Sequence, residues 1–304
     1  MNKIAIAVHG GAGEASDFLI SNEKKCAKGL QEALLTGHRI LKDGGSALDA
    51  VEAAVCMLED DPHFNAGRGS TLNCHGEIEM DASIMDGKTL KAGAVSMIRE
   101  VKNPVSLARK IMEKTHHVFL SGYGALEVAK YFNLPLLPES YFMTDYQYQQ
   151  NQTRHQQETF DDILKKSGSG TVGAVALDNE GNLASATSTG GTSHCLPGRI
   201  GDSCVIGAGC YADNRNCAVS GTGEGEALIT GVAAHTIAML IELQGYSLQE
   251  ACDQVIKKRP PASRREMGVI AVNTQGNVSV SFNTEIMKRA WIDNDGKMHC
   301  KIFK

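Results

Sequence analysis

What this 304-residue chain lacks narrows what it can be. It has no basic block. Lys and Arg total 30 against 35 Asp and Glu, a net charge of −5, which argues against nucleic acid and anionic membrane as main partners. No apolar run approaches the ~20 residues needed to span a bilayer. The opening MNKIAIAVHGGAG holds only a short apolar stretch, which a strand explains better than a signal peptide. None of the nine cysteines forms C-x-x-C, and no closely spaced Cys/His pairs offer a zinc site. Reduced thiols in the cytoplasm are the simplest account.

The apolar content, 42%, supports a sizeable core, and the length suits one large unit or two domains. The informative stretch is Ser167 to Asp178, SGSGTVGAVALD. A small polar lead-in ends at Gly170. Thr171 then opens an apolar run that reads as a buried strand. If the peptide bond before Thr171 were cut, one residue would carry both a hydroxyl and a free α-amine, a nucleophile with its own base. The same letters match G-x-G-x-x-G, but that dinucleotide fingerprint needs a strand before it and a helix after it, and here the order is reversed. The bland alternative is a glycine-rich linker entering a strand.

Along the chain, Ile4 to Val8 reads as a strand ending in His9-Gly10-Gly11-Ala12-Gly13. A similar HGGG turn makes an oxyanion hole in α/β-hydrolases, but that reading requires a G-x-S-x-G elbow, which this chain lacks. A tight structural turn is the competing reading. Helices are expected over about Ser21–Leu41, from Ser46 (with Asp49 as its capping partner) to Leu58, and over Pro104–Lys114 and Tyr123–Tyr131. Ile78–Met85 and Ala92–Ile98 read as strands. Glu139–Gly170 is a glutamine-crowded polar tract with little apolar periodicity, read as a flexible linker where a chain can be cut. The second half gives two hairpins, Thr171–Leu177 with Leu183–Thr189 and Met267–Val272 with Val278–Phe282. A glycine-rich region, 190–225, lies between them. It is followed by one long apolar helix, about Glu226–Gln244, and a helix capped by Ser247 and Glu250. Such grouping favours an α+β architecture of stacked sheets covered by helices.

The polar residues after Thr171 are unusual for a plain core. Hairpin pairing brings Thr189 near Thr171. Arg199 and Asp202, three residues apart between glycines, offer a guanidinium for a carboxylate and a carboxylate for an ammonium, unless they form an ordinary surface ion pair. Gly221-Thr222-Gly223-Glu224-Gly225 precedes a helix, where free N–H groups can cap it or hold an oxyanion. The glycine-containing loop Leu58–Ser70 is by default a plain connection, though its main-chain oxygens can also wrap a hard cation.

HGGAG (His9–Gly13), FNAGRGS (Phe64–Ser70), MDASIMDG (Met80–Gly87), GTVGAVALD (Gly170–Asp178), TSTGG (Thr187–Gly191), LPGRIGDS (Leu196–Ser203), GAGCYAD (Gly207–Asp213) and SGTGEGE (Ser220–Glu226) together resemble the plant-type asparaginases. These are isoaspartyl peptidases of the N-terminal-nucleophile hydrolase superfamily. The resemblance implies a four-layer αββα sandwich, and a precursor that cuts itself between Gly170 and Thr171 into an α subunit (1–170, with 139–170 a flexible linker) and a β subunit (171–304). It also implies a dimer of αβ units acting on asparagine and β-aspartyl dipeptides. By motif, Thr171 is the nucleophile, Thr189 and Asn65 position or polarise its hydroxyl, Arg199 and Asp202 hold the α-carboxylate and α-amine of the substrate, and Thr222 and Gly223 form the oxyanion hole. No cofactor is implied for the chemistry. A structural sodium ion is implied on main-chain oxygens of Leu58, Glu59, Asp61, Phe64, Ala66 and Arg68. Cys204, Gly221 and Glu224 depart from the family pattern. The alternatives are a glycosylasparaginase-type amidase and an unprocessed binding homologue.

Overall fold

The apolar run that opens the chain extends through HGGAG as one buried strand, β1 (Ala5–Gly13). In the computed structural model, which describes residues 3–165, 168, 170–258, 266–293 and 296–304, twenty-one further α-helices and strands follow, besides a short 3-10 turn (Asp202–Cys204) and a π-helical turn (Gln254–Lys258). The first half continues with α1 (Asp17–Lys42), α2 (Ala47–Asp60), β2 (Met80–Asp86), β3 (Ala92–Ile98), α3 (Pro104–Lys114), β4 (Phe119–Ser121), α4 (Gly122–Tyr131), α5 (Glu139–Phe142), α6 (Asp145–Gln157) and α7 (Phe160–Leu164). The second half holds β5 (Val172–Leu177), β6 (Leu183–Thr189), β7 (Cys210–Ala212), β8 (Cys217–Gly223), α8 (Gly225–Gly231), α9 (Ala233–Gln244), α10 (Leu248–Asp253), β9 (Met267–Asn273), β10 (Val278–Phe282), β11 (Ile286–Ile292) and β12 (Met298–Phe303). The lead-in residues 166, 167 and 169 lie outside the described residues.

Two sheets form among the described residues. The larger runs β12-β11-β1-β5-β6-β2-β3-β4 and the smaller β10-β9-β8-β7. The β3–β4 pair is parallel and the other pairs are antiparallel. Strand β5 shows why its sequence is a continuous apolar run rather than an alternating one, since both of its faces are covered. Val172, Ala174 and Ala176 join a core with α1, α2 and α3. Val175 and Leu177 join a second core shared with the smaller sheet and α8–α10. The chain is thus a mixed α+β structure of two sheets flanked by helices. Thr171 sits at the open end of the most central hairpin, whose register pairs Val172 with Ser188 and so sets Thr171 beside Thr189.

The expected boundaries of β3 and α3 hold to the residue. Three expectations fail, each for a physical reason. First, 139–170 is not a featureless linker, because α5, α6 and α7 lie within it. Only Asn151 of α6 is buried, so there is no apolar stripe to read. Polar contacts hold this helix instead. Thr144 caps it, Gln147 Nε2 donates to Gly69 O at 3.1 Å, Asn151 Nδ2 donates to Asn73 O at 2.8 Å, and Tyr146 stacks on Phe18. Second, the long helix is two helices. Val232 adopts a left-handed conformation (φ 45°), and the free N–H groups opening α9 are taken by Ala208 O and Gly207 O, which starts a second helix there. Gly225–Gln244 is, among the described residues, the one helical stretch long and apolar enough to cross a membrane, and it packs on the smaller sheet. Third, the glycine-rich region conceals two strands, β7 and β8, whose small residues are held by pairing with each other and with β9 rather than by an apolar alternation of their own.

Candidate active site

The bond between Gly170 and Thr171 lies where the large sheet meets two glycine-bearing turns. Gly170 has φ 119°, a conformation open to glycine and costly for other residues. Its carbonyl oxygen accepts two hydrogen bonds, from Asn65 Nδ2 at 2.8 Å and from Thr189 Oγ1 at 3.0 Å. Thr189 is delivered by the hairpin. Asn65 comes from the loop after α2, and that loop is fixed at both ends. Asn65 Oδ1 accepts from Thr71 N, and Asn65 Nδ2 also donates to Gly191 O at 2.7 Å. Gly11 (φ 107°) completes the enclosure, since a Cβ there would stand 3.1 Å from Gly170 Cα and 3.3 Å from Thr171 N. The HGGAG segment is thus the end of strand β1 rather than the expected tight turn, with Gly11 kept bare by the Gly170–Thr171 bond and Gly10 by the Phe64 ring.

Thr171 is buried, and its Oγ1 lies 3.4 Å from Ser203 Oγ. Ser203 belongs to the same short turn as Asp202, Asp202–Cys204. Burial pushes the Asp202 carboxyl up to about 6, and its Oδ2 has no hydrogen-bond partner. Arg199 gives its Nε and Nη2 edge to Glu226 at 2.9 and 2.8 Å, a two-pronged pair. Both acidic residues before this loop brace it. Glu79 Oε2 accepts from Gly198 N at 2.8 Å, and the buried Asp81 accepts from Met97 N at 3.0 Å and takes the N–H of Gly201.

Thr222 and Gly223 end β8, and both are buried. Thr222 Oγ1 accepts from Ala12 N at 3.3 Å, so among the described contacts it reaches Thr171 through the HGGAG segment. Gly223 (φ 123°) abuts the backbone of Glu266 and Met267, leaving no room for a side chain. Beneath Thr171, between the sheets, His9 Nε2 meets Ser220 Oγ at 2.9 Å, and Ser220 meets Thr187 Oγ1 at 2.8 Å. Burial lowers His9 to about 3, so the ring is neutral, and the backbone of Thr171 lies against it. Gly173 must be glycine here, because a Cβ would collide with Ser220 Oγ and His9 Nε2.

The loop from Leu58 to Arg68 curls back on itself. Arg68 N donates to Glu59 O at 2.6 Å and Phe64 N donates to Asp61 O at 3.2 Å. Leu58, Phe64 and Ala66 are buried in it. Glu59 turns its side chain inward, and Oε1 accepts from Ser188 Oγ at 2.6 Å and Val105 N at 3.1 Å. This ties the loop to the strand that carries Thr189. Its other oxygen, Oε2, is buried with no hydrogen-bond partner.

Comparison with known proteins agrees with this arrangement. The family model described as asparaginase matches residues 2–302. The chain belongs to the asparaginase family. It is 44% identical over 301 residues to an isoaspartyl peptidase of Escherichia coli, covering 96% of this chain and 93% of that one. It is 44% identical over 306 residues to an isoaspartyl peptidase/L-asparaginase of Bos taurus, covering 99% and 96%. For the protein so described in Homo sapiens the figures are 43% over 303 residues, covering 98% and 96%.

In this member of the asparaginase family, Asn65, Thr189, Gly170 and Thr171 come together directly, while Arg199 acts on Asp202 only through space and makes its ion pair with Glu226. Two residues here, Ser203 and Glu226, have no role assigned from the sequence. Ser203 was signalled only by its place next to Asp202. Glu226 closes the motif SGTGEGE, but spacing cannot show that it meets Arg199 27 positions away. Glu224 is the N-cap of α8 and makes no side-chain cap; with Glu14 and Glu285 it raises Glu266, after burial.

Proposed function

We propose that this chain is a self-processing threonine hydrolase that cleaves the side-chain amide of L-asparagine and the β-linked amide of isoaspartyl dipeptides, releasing aspartate. The observation that carries the reading is the Gly170 carbonyl held between Asn65 Nδ2 and Thr189 Oγ1, with the Thr171 hydroxyl on the next residue. Two donors on a carbonyl oxygen are what an attack on its carbon requires. The names of the relatives support the substrates.

In the intact chain, Thr171 Oγ1 attacks the Gly170 carbon. The negative oxygen is held by Asn65 and Thr189, the Thr171 nitrogen takes a proton and leaves, and an ester links Gly170 to the Thr171 hydroxyl. Water hydrolyses that ester, leaving a Gly170 carboxylate and a free Thr171 α-amine. An α-amine titrates at ~7.7–8.0 and so serves as a base near neutral pH. In turnover it takes the Oγ1 proton as the hydroxyl attacks the substrate amide. Arg199 binds the substrate α-carboxylate through edges that Glu226 leaves open, and the unpartnered, buried Asp202 binds the α-ammonium. Thr222 and Gly223 hold the oxyanion. Ammonia or an amino acid departs with the proton, and water then frees aspartate.

Main-chain oxygens of Leu58, Glu59, Asp61, Phe64, Ala66 and Arg68 would hold a structural sodium ion that takes no part in bond-making, with Glu59 O and Asp61 O also accepting from Arg68 N and Phe64 N. The two covered sheets fit the four-layer αββα sandwich, and we place the mature protein in the cytoplasm as a dimer of αβ units. All nine cysteines are free, which suits a reducing compartment. The test is aspartate release. Incubated wild type should release aspartate from both asparagine and a β-aspartyl dipeptide, and release from neither refutes the reading.

A further inference from the structure

Thr171 has different surroundings on its two sides. On the hydroxyl side lie Ser203, Asp202 and Arg199. On the other side, reached through Gly170, lies a cavity of ≈ 220 Å³ whose wall includes Gly170, Asn65, Gly11, Arg154 and Lys288, with Glu14 its one carboxylate among the described residues. The reaction described above gives this space no occupant.

Lys288 is in β11, which pairs with β1, itself paired with β5. The register matches His9 with Arg289 and Ala12 with Met287 and is irregular between them, so Lys288 stands opposite the Gly10–Gly11 stretch. Gly11 is the residue that abuts Gly170 Cα and Thr171 N. Lys288 is partly buried, and burial lowers its pKa. Among the described residues its ammonium has no hydrogen bond or ion pair, and it lies 5.5 Å from the centre of the Phe64 ring. A second cation lines the same wall. Arg154 pairs with Glu158 through Nη1, but its buried Nε has no hydrogen-bond partner. Cationic donors left unsatisfied around a cavity favour an anion.

The reaction indicates which anion. The Thr171 amine returns its proton to the departing group, so that group must lie on the nitrogen side of Thr171. Ammonia, the leaving group from asparagine, carries no charge to recognise there. The amino acid leaving a β-aspartyl dipeptide carries a carboxylate. We infer that this cavity is the leaving-group subsite and that Lys288 binds the C-terminal carboxylate of β-aspartyl dipeptides. The inference rests on the amidase reading given above. Lys288 belongs to the segment after the cleavage point and is paired within the large sheet, so freeing the Gly170 end leaves it in place. It acts by binding alone and forms no covalent bond.

The test compares three substrates on processed enzyme: asparagine, β-aspartyl-alanine, and β-aspartyl-alanine amide, whose C-terminus is uncharged. Wild type should favour the free carboxylate over the amide about tenfold in kcat/KM, expressed mainly in KM. Lys288→Met should bring that ratio close to one, and Lys288→Arg should keep most of it. A wild-type ratio near one overturns the subsite, as does a ratio that Lys288→Met leaves unchanged. The wild-type comparison needs no variant, so a poorly folded Lys288→Met still leaves the proposal open to refutation. Failure of processed wild type to turn over any of the three overturns the amidase reading itself, and the subsite with it.

Discussion

At the Gly170–Thr171 bond and in the pocket around Asp202, the same threonine faces two constellations at different stages of completion. At Gly170 every hydrogen bond the carbonyl needs is already made, by Asn65 and Thr189, and those donors are held by Thr71, Gly191 and the β5–β6 hairpin. Around Asp202 the bonding is unfinished. One carboxylate oxygen is buried without a partner, and Arg199 is aimed by Glu226 rather than by a ligand. The first constellation acts on a peptide that is always present, so it can be complete on folding. The second must await a charged molecule, and keeping a charge-binding pocket unsatisfied costs stability.

Four experiments break or sharpen this contrast. Thr171→Ala removes the group both constellations serve. It should leave one uncut chain and lower turnover by about 10⁴-fold or more, as seen in intact mass and an aspartate assay. Arg199→Ala and Asp202→Asn strike only the waiting side. Each should cut kcat/KM for asparagine by about 10²–10³-fold while self-cleavage proceeds at its wild-type rate. Thr189→Val strikes the finished side and should slow self-cleavage by about 10²-fold, read as the half-time of the full-length band. The smallest effects depend on pH. Because the Asp202 carboxyl is raised to about 6, the fall in kcat/KM that protonation of the Thr171 amine sets below ~7.7–8.0 should steepen below pH 6, by about a further tenfold per unit, and Asp202→Asn should lose that steepening. The sign for stability is opposite. An acid raised on folding holds its proton longer in the native state, so its ionisation destabilises the fold between its ordinary value of 3.8 and about 6, and the cost persists above. Asp202→Asn should therefore melt a few degrees higher than wild type at pH 8 and show no such gain at pH 3.5.

Legibility in the sequence followed the kind of force holding each part. Where burial did the work, as in β5 or α3, apolar runs and capping residues gave boundaries within a residue or so. The polar helix α6 was invisible because its anchors are single side chains, Gln147 and Asn151, bonded to distant carbonyls. The break at Val232 was hidden because nothing in an apolar stretch reveals that Gly207 and Ala208 supply acceptors for a new helix start. At the site, Thr189 was placed by hairpin register, a local rule. Glu226 on Arg199, and Lys288 on the wall of the cavity that Gly170 also lines, depend on chain segments meeting across the fold, and no local pattern marks them.

The central claim is that the Gly170–Thr171 bond is the target of the Thr171 hydroxyl and that activity follows its rupture. The direct measurement is a time course on freshly purified wild type, with intact mass spectrometry and N-terminal sequencing run beside aspartate release from a β-aspartyl dipeptide. The account predicts that a fragment beginning at Thr171 accumulates in step with activity. Full activity in a preparation whose chain stays continuous through Gly170 and Thr171 would contradict it.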